Sequence, residues 1–301
     1  MSLKNNIFIT GGNGFVGQNI ILKLRDSFSF SFYVKDTIPE INSEVVIHLA
    51  GKAHDTKKVV NENEYYQINT ELTKTIFDAF RESTAEVFIF LSSVKAAADF
   101  TNIELVEKHT PSPQTHYGKS KLLAEQYINT QKLQLTNKRI YILRPCMIHG
   151  PGNKGNLNFL YKFVSKGYPW PLAGFDNSRS FCSIENLIFV IKELIQRNDI
   201  TSGTYQIADD TPLSTNKIID LIKQSTGSKT LLIKIPRMII LALAKIGDYF
   251  NLPFNSDRFI KLTENYIVSN KKLKLALGKS LPVESSVGML ETLNSFNKNV
   301  V

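Results

Sequence analysis

Four short runs, 7–10 (IFIT), 45–49 (VVIHL), 87–91 (VFIFL) and 139–143 (RIYIL), are β-rich and almost continuously apolar, and helix-period segments separate them. Continuous apolarity is the mark of a strand buried on both faces. After Tyr65, Ile68, Leu72, Ile76 and Phe80 recur at spacings of four, and after Tyr117 come Leu122, Leu123, Ala124 and Tyr127. Strands alternating with such helices predict a parallel sheet with right-handed crossovers, the Rossmann-like doubly wound α/β class. Beyond Pro151 the pattern loosens, and one strand-like run returns at 203–208 (GTYQIA). The expected division is a sheet domain over 1–150 plus about 183–210. A smaller, mostly helical lobe over about 151–182 and 211–301 would lie across the carboxyl ends of the strands, where open α/β sheets bind ligands.

The loop Thr10-Gly11-Gly12-Asn13-Gly14-Phe15-Val16-Gly17 follows the first strand and opens a helix through Ile20, Ile21 and Leu24. Glycines at that spacing let the chain turn tightly, admit a pyrophosphate to the backbone N–H groups and pack the helix on the strand. An acid for the adenosine ribose belongs about 20 residues on. Asp36 lies 19 beyond Gly17, but Lys35 beside it can face a 2′-phosphate, which leaves NAD and NADP both open. Only 30 residues separate Gly17 from His48, too few for two strand-helix units. One strand of the usual six is therefore expected to be missing or vestigial.

Tyr117 and Lys121 stand four residues apart and so share one helix face, where an ammonium can stabilise a phenolate and make a base usable near neutrality. Ser93, in Leu91-Ser92-Ser93 at the end of an apolar strand, puts a hydroxyl beside the ligand crevice 24 residues before Tyr117.

Lysine and arginine outnumber the acids 36 to 27, a net +9, so an anionic ligand is expected. The excess is spread along the chain, which argues against a nucleic-acid surface. Cys146 and Cys182 cannot make a disulfide framework and have no metal-ligand neighbours at short spacing, so no metal is expected and a reducing cytoplasm fits best. The longest aliphatic run, residues 238–244, is about a third of the roughly 20 residues a membrane span needs, and it reads as a packed helix.

Together these residues resemble the extended short-chain dehydrogenase/reductase family of nucleotide-sugar epimerases, dehydratases and reductases. The resemblance also takes in His48-Leu49-Ala50-Gly51, Asn69, Arg144-Pro145 and His149-Gly150-Pro151-Gly152. It implies an NAD(P)-dependent enzyme. Ser93 and Tyr117 would bind the reacting sugar oxygen, with Tyr117 as acid/base and Lys121 holding the nicotinamide ribose. Gly11, Asn13, Gly14, Phe15 and Val16 would hold the pyrophosphate, and Leu49, Ala50, Gly51 and Pro145 would line the dinucleotide. Arg179 matches the family's sugar-nucleotide diphosphate arginine, and a guanidinium fork suits phosphate. Asn156, Asn158 and Arg258 are further substrate candidates, and Lys52 and His54 can face the sugar. Where the family often has Asn before the Gly-Pro loop, this chain has Cys146-Met147. The resemblance also implies a homodimer, with Phe77, Phe80, Leu123 and Tyr127 as apolar surface.

The 4,6-dehydratases of the family carry Asp-Glu after the active-site hydroxyl, and this chain has Val94-Lys95. The stretches from Ser92 and from His149 look most like bacterial surface-polysaccharide UDP-hexose 4-epimerases, or reductases of UDP-4-keto-6-deoxy sugars. The expected reaction is redox at C4 of a nucleotide-diphosphate hexose, with 4-epimerisation preferred to NADPH-dependent 4-keto reduction. A non-catalytic dinucleotide-binding regulator is the alternative outside enzymes.

Overall fold

The computed structural model describes residues 6–53, 61–153, 155–250, 252 and 254–297. In chain order its elements begin with β1 (Asn6–Thr10), α1 (Phe15–Leu24), β2 (Ser29–Phe32) and β3 (Val45–His48). Next come α2 (Glu62–Tyr66), α3 (Leu72–Glu82), β4 (Val87–Leu91), α4 (His116–Gln131), β5 (Arg139–Pro145) and β6 (Met147–His149). Then follow α5 (Asn156–Ser165), β7 (Phe181–Ser183), α6 (Ile184–Gln196), β8 (Gly203–Ile207) and α7 (Thr215–Thr226). The described chain closes with α8 (Arg237–Tyr249), α9 (Ser256–Thr263), α10 (Lys271–Leu277) and α11 (Ser285–Asn297).

A parallel sheet of six strands runs in the order β2-β1-β3-β4-β5-β8. The pleat explains why the four apolar runs are continuous. Ile7, Ile9, Val45, Ile47, Ile89, Leu91, Tyr141 and Leu143 pack on one face with Ile20 of α1 and Leu187 and Ile191 of α6. Phe8, Val46, Phe88, Phe90, Ile140 and Ile142 pack on the other with Ile76, Phe77 and Phe80 of α3 and Ala124 and Ile128 of α4. Both faces being covered, nearly every residue of these strands is buried.

The sheet is not short of a strand. The sixth is β2, whose sequence SFSF alternates serine with phenylalanine because it is an edge strand with one partner and partial exposure. What is missing is the helix between β2 and β3: residues 33–44 cross back over β1 with none. That also places the reversal of strand order between β1 and β3, so the loops after these two strands border the crevice that such a reversal opens.

A second core joins Leu157, Leu160 and Val164 of α5 to Ile219 and Ile222 of α7, Ile240 and Ala244 of α8, Phe259 of α9 and Met289 and Leu293 of α11. The stretch 211–301, expected to lie wholly in this lobe, is divided, since Tyr266, Val268, Leu273 and Leu277 return to the sheet core. The lobe is tied to the sheet by the parallel pair β6 and β7 and by buried His149, which faces Thr292 at 2.9 Å and Asp209 at 3.3 Å. Cys146 and Cys182 are both buried and free. Two expectations fail. Phe77 and Phe80 are wholly buried against Phe88, so they offer no surface to a second copy, whereas Leu123 is exposed. The run 238–244 is helical but only half packed: Ile240 and Ala244 are buried, while Met238, Ile239 and Leu243 face outward.

Candidate active site

Ser93 directly follows β4 and caps a single 3₁₀ turn, Val94–Ala96, its hydroxyl oxygen accepting the Lys95 N–H at 3.2 Å. Tyr117 sits in the first turn of α4. That turn is held by Thr115, whose hydroxyl oxygen accepts the Gly118 N–H at 3.2 Å and whose O–H donates to Asp99 at 3.0 Å. Asp99 also accepts the N–H groups of Gln114 and Thr115 at 2.6 and 3.0 Å. Two unrelated stretches of backbone are thus pinned so that Ser93 acts on the Tyr117 phenol. Burial raises the Tyr117 phenol above its ordinary value, and the Ser93 bond opposes the rise.

Lys121, one turn further along α4, is nearly wholly buried. Its ammonium donates to the Leu91 carbonyl at 2.9 Å and lies 4.7 Å from the centre of the Phe90 ring. Burial lowers its pKa to about 8, against the opposing pull of Glu125. The Lys121 ammonium is directed here to a carbonyl and an aromatic face, and the shift of the Tyr117 phenol is set by burial and Ser93.

Around Lys121 runs a polar network with no loose ends. Asn69, fully buried, accepts the Lys52 N–H at 2.8 Å and donates to the Lys52 carbonyl and the Ser120 hydroxyl, each at 3.0 Å. It lies on a π turn, Gln67–Glu71, that interrupts the otherwise continuous α2 and α3, a device often found at functional sites. Thr73 accepts or donates at 2.8 Å to His48, which reaches Thr10 at 2.6 Å, and Thr10 in turn accepts the Ala50 N–H at 3.1 Å. Burial, with Lys121 adding to it, lowers the His48 pKa to about 3, so this histidine is a neutral hydrogen-bonding strut. A Cβ on Gly51 would stand 3.0 Å from the Lys121 ammonium and 3.1 Å from the Asn69 oxygen, which shows how closely the β3 loop, α4 and the π turn converge.

The glycine loop packs tightly at the N-terminus of α1. Gly11 has φ +71, and a Cβ there would meet the Ala50 nitrogen at 2.7 Å; one on Gly17 would meet the Gly11 oxygen at 2.5 Å. Gly14 caps α1 without a side-chain hydrogen bond. The first-turn N–H groups of Phe15, Val16 and Gly17 are thus left for a ligand, at the positive end of the helix. Asp36 is placed differently from expectation. It lies four residues beyond β2 in left-handed backbone, exposed, 3.9 Å from Lys35. The side chain at the end of β2 that meets the glycine loop is Phe32, 3.3 Å from where a Gly12 Cβ would be.

Across the crevice, Arg179 donates to the Lys261 carbonyl of α9 at 2.6 Å and is partly buried. Lys95, two residues past Ser93, lies 4.4 Å from the centre of the Tyr266 ring and donates to the Asp99 carbonyl at 2.6 Å. Burial, with Arg179 and Lys261 adding repulsion against the pull of Asp99, brings its pKa to about 8. Three cations therefore face one region, and sequence reading found only Arg179; Lys95 carried a signal in its closeness to Ser93. Arg258 stacks 4.6 Å from the Phe159 ring centre. Asn158 donates to the Asn153 carbonyl at 3.0 Å and so holds its own loop, while Lys52 pairs with Glu64 at 2.5 Å. Pro145 closes β5 opposite Ile207, and Leu49 follows β3, its N–H donating to Thr10 at 3.2 Å. His54 and the Asn156 side chain lie outside the described residues.

The profile of the NAD dependent epimerase/dehydratase family matches residues 32–208. This chain belongs to that family. A UDP-glucose 4-epimerase of Vibrio cholerae is 26% identical over 98% of this chain and 96% of its own length. An N-acetyl-alpha-D-glucosaminyl-diphospho-ditrans,octacis-undecaprenol 4-epimerase of Escherichia coli O157:H7 is 25% identical over 90% of this chain and 85% of its own. Among solved structures, RMD of Pseudomonas aeruginosa complexed with NADPH superposes with a TM-score of 0.72 at 17% identity, covering 97% of this chain and 98% of that one. The chain is thus an NAD(P)-dependent enzyme of the epimerase/dehydratase family. No helix among the described residues is long and apolar enough to cross a membrane.

Proposed function

We propose that the protein carries out redox at C4 of a nucleotide-diphosphate hexose, most simply as a UDP-sugar 4-epimerase. The observation that carries this reading is the convergence of Ser93, from the end of β4, and Tyr117, from the first turn of α4, with Lys121 buried against the Leu91 carbonyl. Two hydroxyls on one sugar oxygen polarise the C–O bond as hydride leaves or arrives at the carbon. Tyr117 moves the proton at that oxygen and Ser93 holds it in place. Gly11, Asn13, Gly14, Phe15 and Val16 would hold the dinucleotide pyrophosphate, Leu49, Ala50, Gly51 and Pro145 would line the site, and Lys121 would meet the nicotinamide ribose. NAD(P), when bound, supplies the hydride chemistry. The Arg179 and Lys95 cations would take the substrate diphosphate, with Asn156 and Arg258 as further substrate contacts. UDP-glucose and the undecaprenyl-diphosphate sugar for which the Vibrio and Escherichia relatives are named share only a sugar on a diphosphate, so that group is the recognition element we assign to these cations.

Reduction of a UDP-4-keto-6-deoxy sugar is the second reading. One observation favours it: β2 ends in Phe32 rather than an acid, and Lys35, paired with Asp36 at 3.9 Å, is exposed nearby. Purified protein offered UDP-hexoses without added cofactor should interconvert their C4 epimers. Stoichiometric consumption of NADPH with a 4-keto sugar, and no action on hexoses, would replace the first reading with the second. We further propose a cytoplasmic enzyme that dimerises through α3 and α4 around exposed Leu123, and a sedimentation mass of 34.0 kDa at micromolar concentration would refute the dimer.

A further inference from the structure

α8 presents to solvent what a folded chain normally hides. Met238 is 79% exposed, Ile239 51%, Leu243 48%, Ile246 49% and Tyr249 81%. At about 100° per residue these positions fall within an arc of about 140° on one side of the helix. The opposite side is Ile240, Ala244 and Gly247, packed on the lobe core. Leu231, Leu232 and Ile233, on the segment leading into the helix, are exposed as well. An apolar face this continuous on a surface helix marks an interaction site.

Its surroundings identify the occupant. Lys229, Lys234, Arg237 and Lys245 are exposed along the same stretch, and the one acid between residues 229 and 250, Asp248, is taken up by the Ser256 N–H at 3.0 Å and its hydroxyl at 2.5 Å. A second copy on a two-fold axis would set these cations against their own images, because a two-fold contact places the same patch on both sides. An anionic bilayer offers the reverse: headgroup charge for the lysines and arginine, and acyl chains for the aliphatic side chains. We infer that the outward face of α8 is a membrane-surface docking helix, lying in the headgroup region of an anionic phospholipid bilayer without crossing it. The inner side of α8 shares its core with Phe259 of α9, and α9 carries the Lys261 carbonyl that holds Arg179. Docking would therefore set the membrane one helix away from the cationic side of the crevice. The surface stands on exposure and charge alone and does not depend on which sugar the enzyme turns over.

Flotation of the full-length protein with vesicles tests this directly. Vesicles of phosphatidylethanolamine with phosphatidylglycerol should carry the protein, neutral phosphatidylcholine vesicles should carry at least tenfold less, and the bound fraction should fall with added salt. Leu243→Glu with Ile246→Glu should lower binding to the anionic vesicles at least tenfold, and Lys234→Glu with Arg237→Glu should lower it and flatten the salt dependence. Hydrogen exchange on the wild-type protein needs no variant: anionic vesicles should protect the amides of residues 237–250 and leave those of α4 unchanged. Wild-type protein that fails to float, a glutamate variant that floats as well as wild type while retaining its melting temperature, or protection spread evenly over the chain would each overturn the proposal. So would a wild-type mass that doubles without vesicles and is halved again by the glutamate variant, since a second copy would then be the occupant.

Discussion

α4 and α8 break the usual sorting of side chains in opposite directions. α4 buries Ser120, Lys121 and Glu125, and each has its partner inside the fold. Ser120 meets Asn69, Lys121 meets the Leu91 carbonyl, and Glu125 accepts from Ser92 at 2.5 Å and from Arg144 at 2.5 to 3.1 Å. α8 exposes aliphatic side chains that nothing among the described residues covers. A polar group taken out of water is expensive unless the structure satisfies it, so the α4 network identifies parts whose positions matter to the site. An apolar group left in water has its compensation elsewhere. The first anomaly is read inward, the second outward.

Tyr117→Phe gives the sharpest break on the α4 side. The hydroxyl is lost and the ring contact with Tyr65 is kept, so kcat should fall by about 10² to 10⁴ with dinucleotide affinity nearly unchanged. Near-normal turnover would remove Tyr117 from the acid/base role. Glu125→Ala leaves Arg144 buried and unpaired, and denaturant unfolding should show a loss of about 3–5 kcal/mol. Adding Arg144→Met should recover much of that loss; no recovery would mean that packing rather than charge set the cost.

On the α8 side the two faces of one helix should separate. Ile240→Ala is expected to cost about 2–4 kcal/mol, whereas Leu243→Gln, a turn away and outward, should stay within about 0.5 kcal/mol. Equal costs would mean that the outward face is packed after all. Lys121→Met is the finest probe. With its pKa lowered from 10.5 to about 8, wild-type Lys121 penalises the folded state fully below pH 8. Between about pH 8 and 10.5 the unfolded chain holds a proton that the folded chain has released, so wild-type stability rises through that window. The stability of the variant relative to wild type should therefore drop by about 1–3 kcal/mol from pH 7 to 10.5. A difference that stays flat with pH would show that the ammonium is not desolvated.

Strands buried on both faces were legible because a doubly covered sheet leaves no position for polar residues, and the glycine loop because only glycine fits where the Gly11 and Gly17 Cβ atoms would collide with backbone. Ser93, Tyr117 and Lys121 were legible by spacing, since they sit at the end of a strand and in the first turns of a helix. β2 was not, because an edge strand has no such uniform burial and its serines look like loop. Lys95 and Tyr266 lie 171 residues apart, and only the folded chain shows that they touch. The outward face of α8 was hidden for a related reason. Apolar residues occupy both the inner and the outward side of α8, so its sequence does not reveal which of the two the fold will cover.

The Tyr266 hydroxyl donates to the Ala98 carbonyl at 2.6 Å, across 168 residues of chain. Seen in the order in which a ribosome releases the polypeptide, the glycine loop, Ser93 and the Tyr117 helix all emerge long before the residue that closes the far wall of the crevice. Contacts of such separation form late, because the loop entropy is lost before the contact is gained. A nascent chain can thus assemble the dinucleotide cradle while the opposite side of the crevice is still open, and the pocket becomes selective only when its second wall arrives.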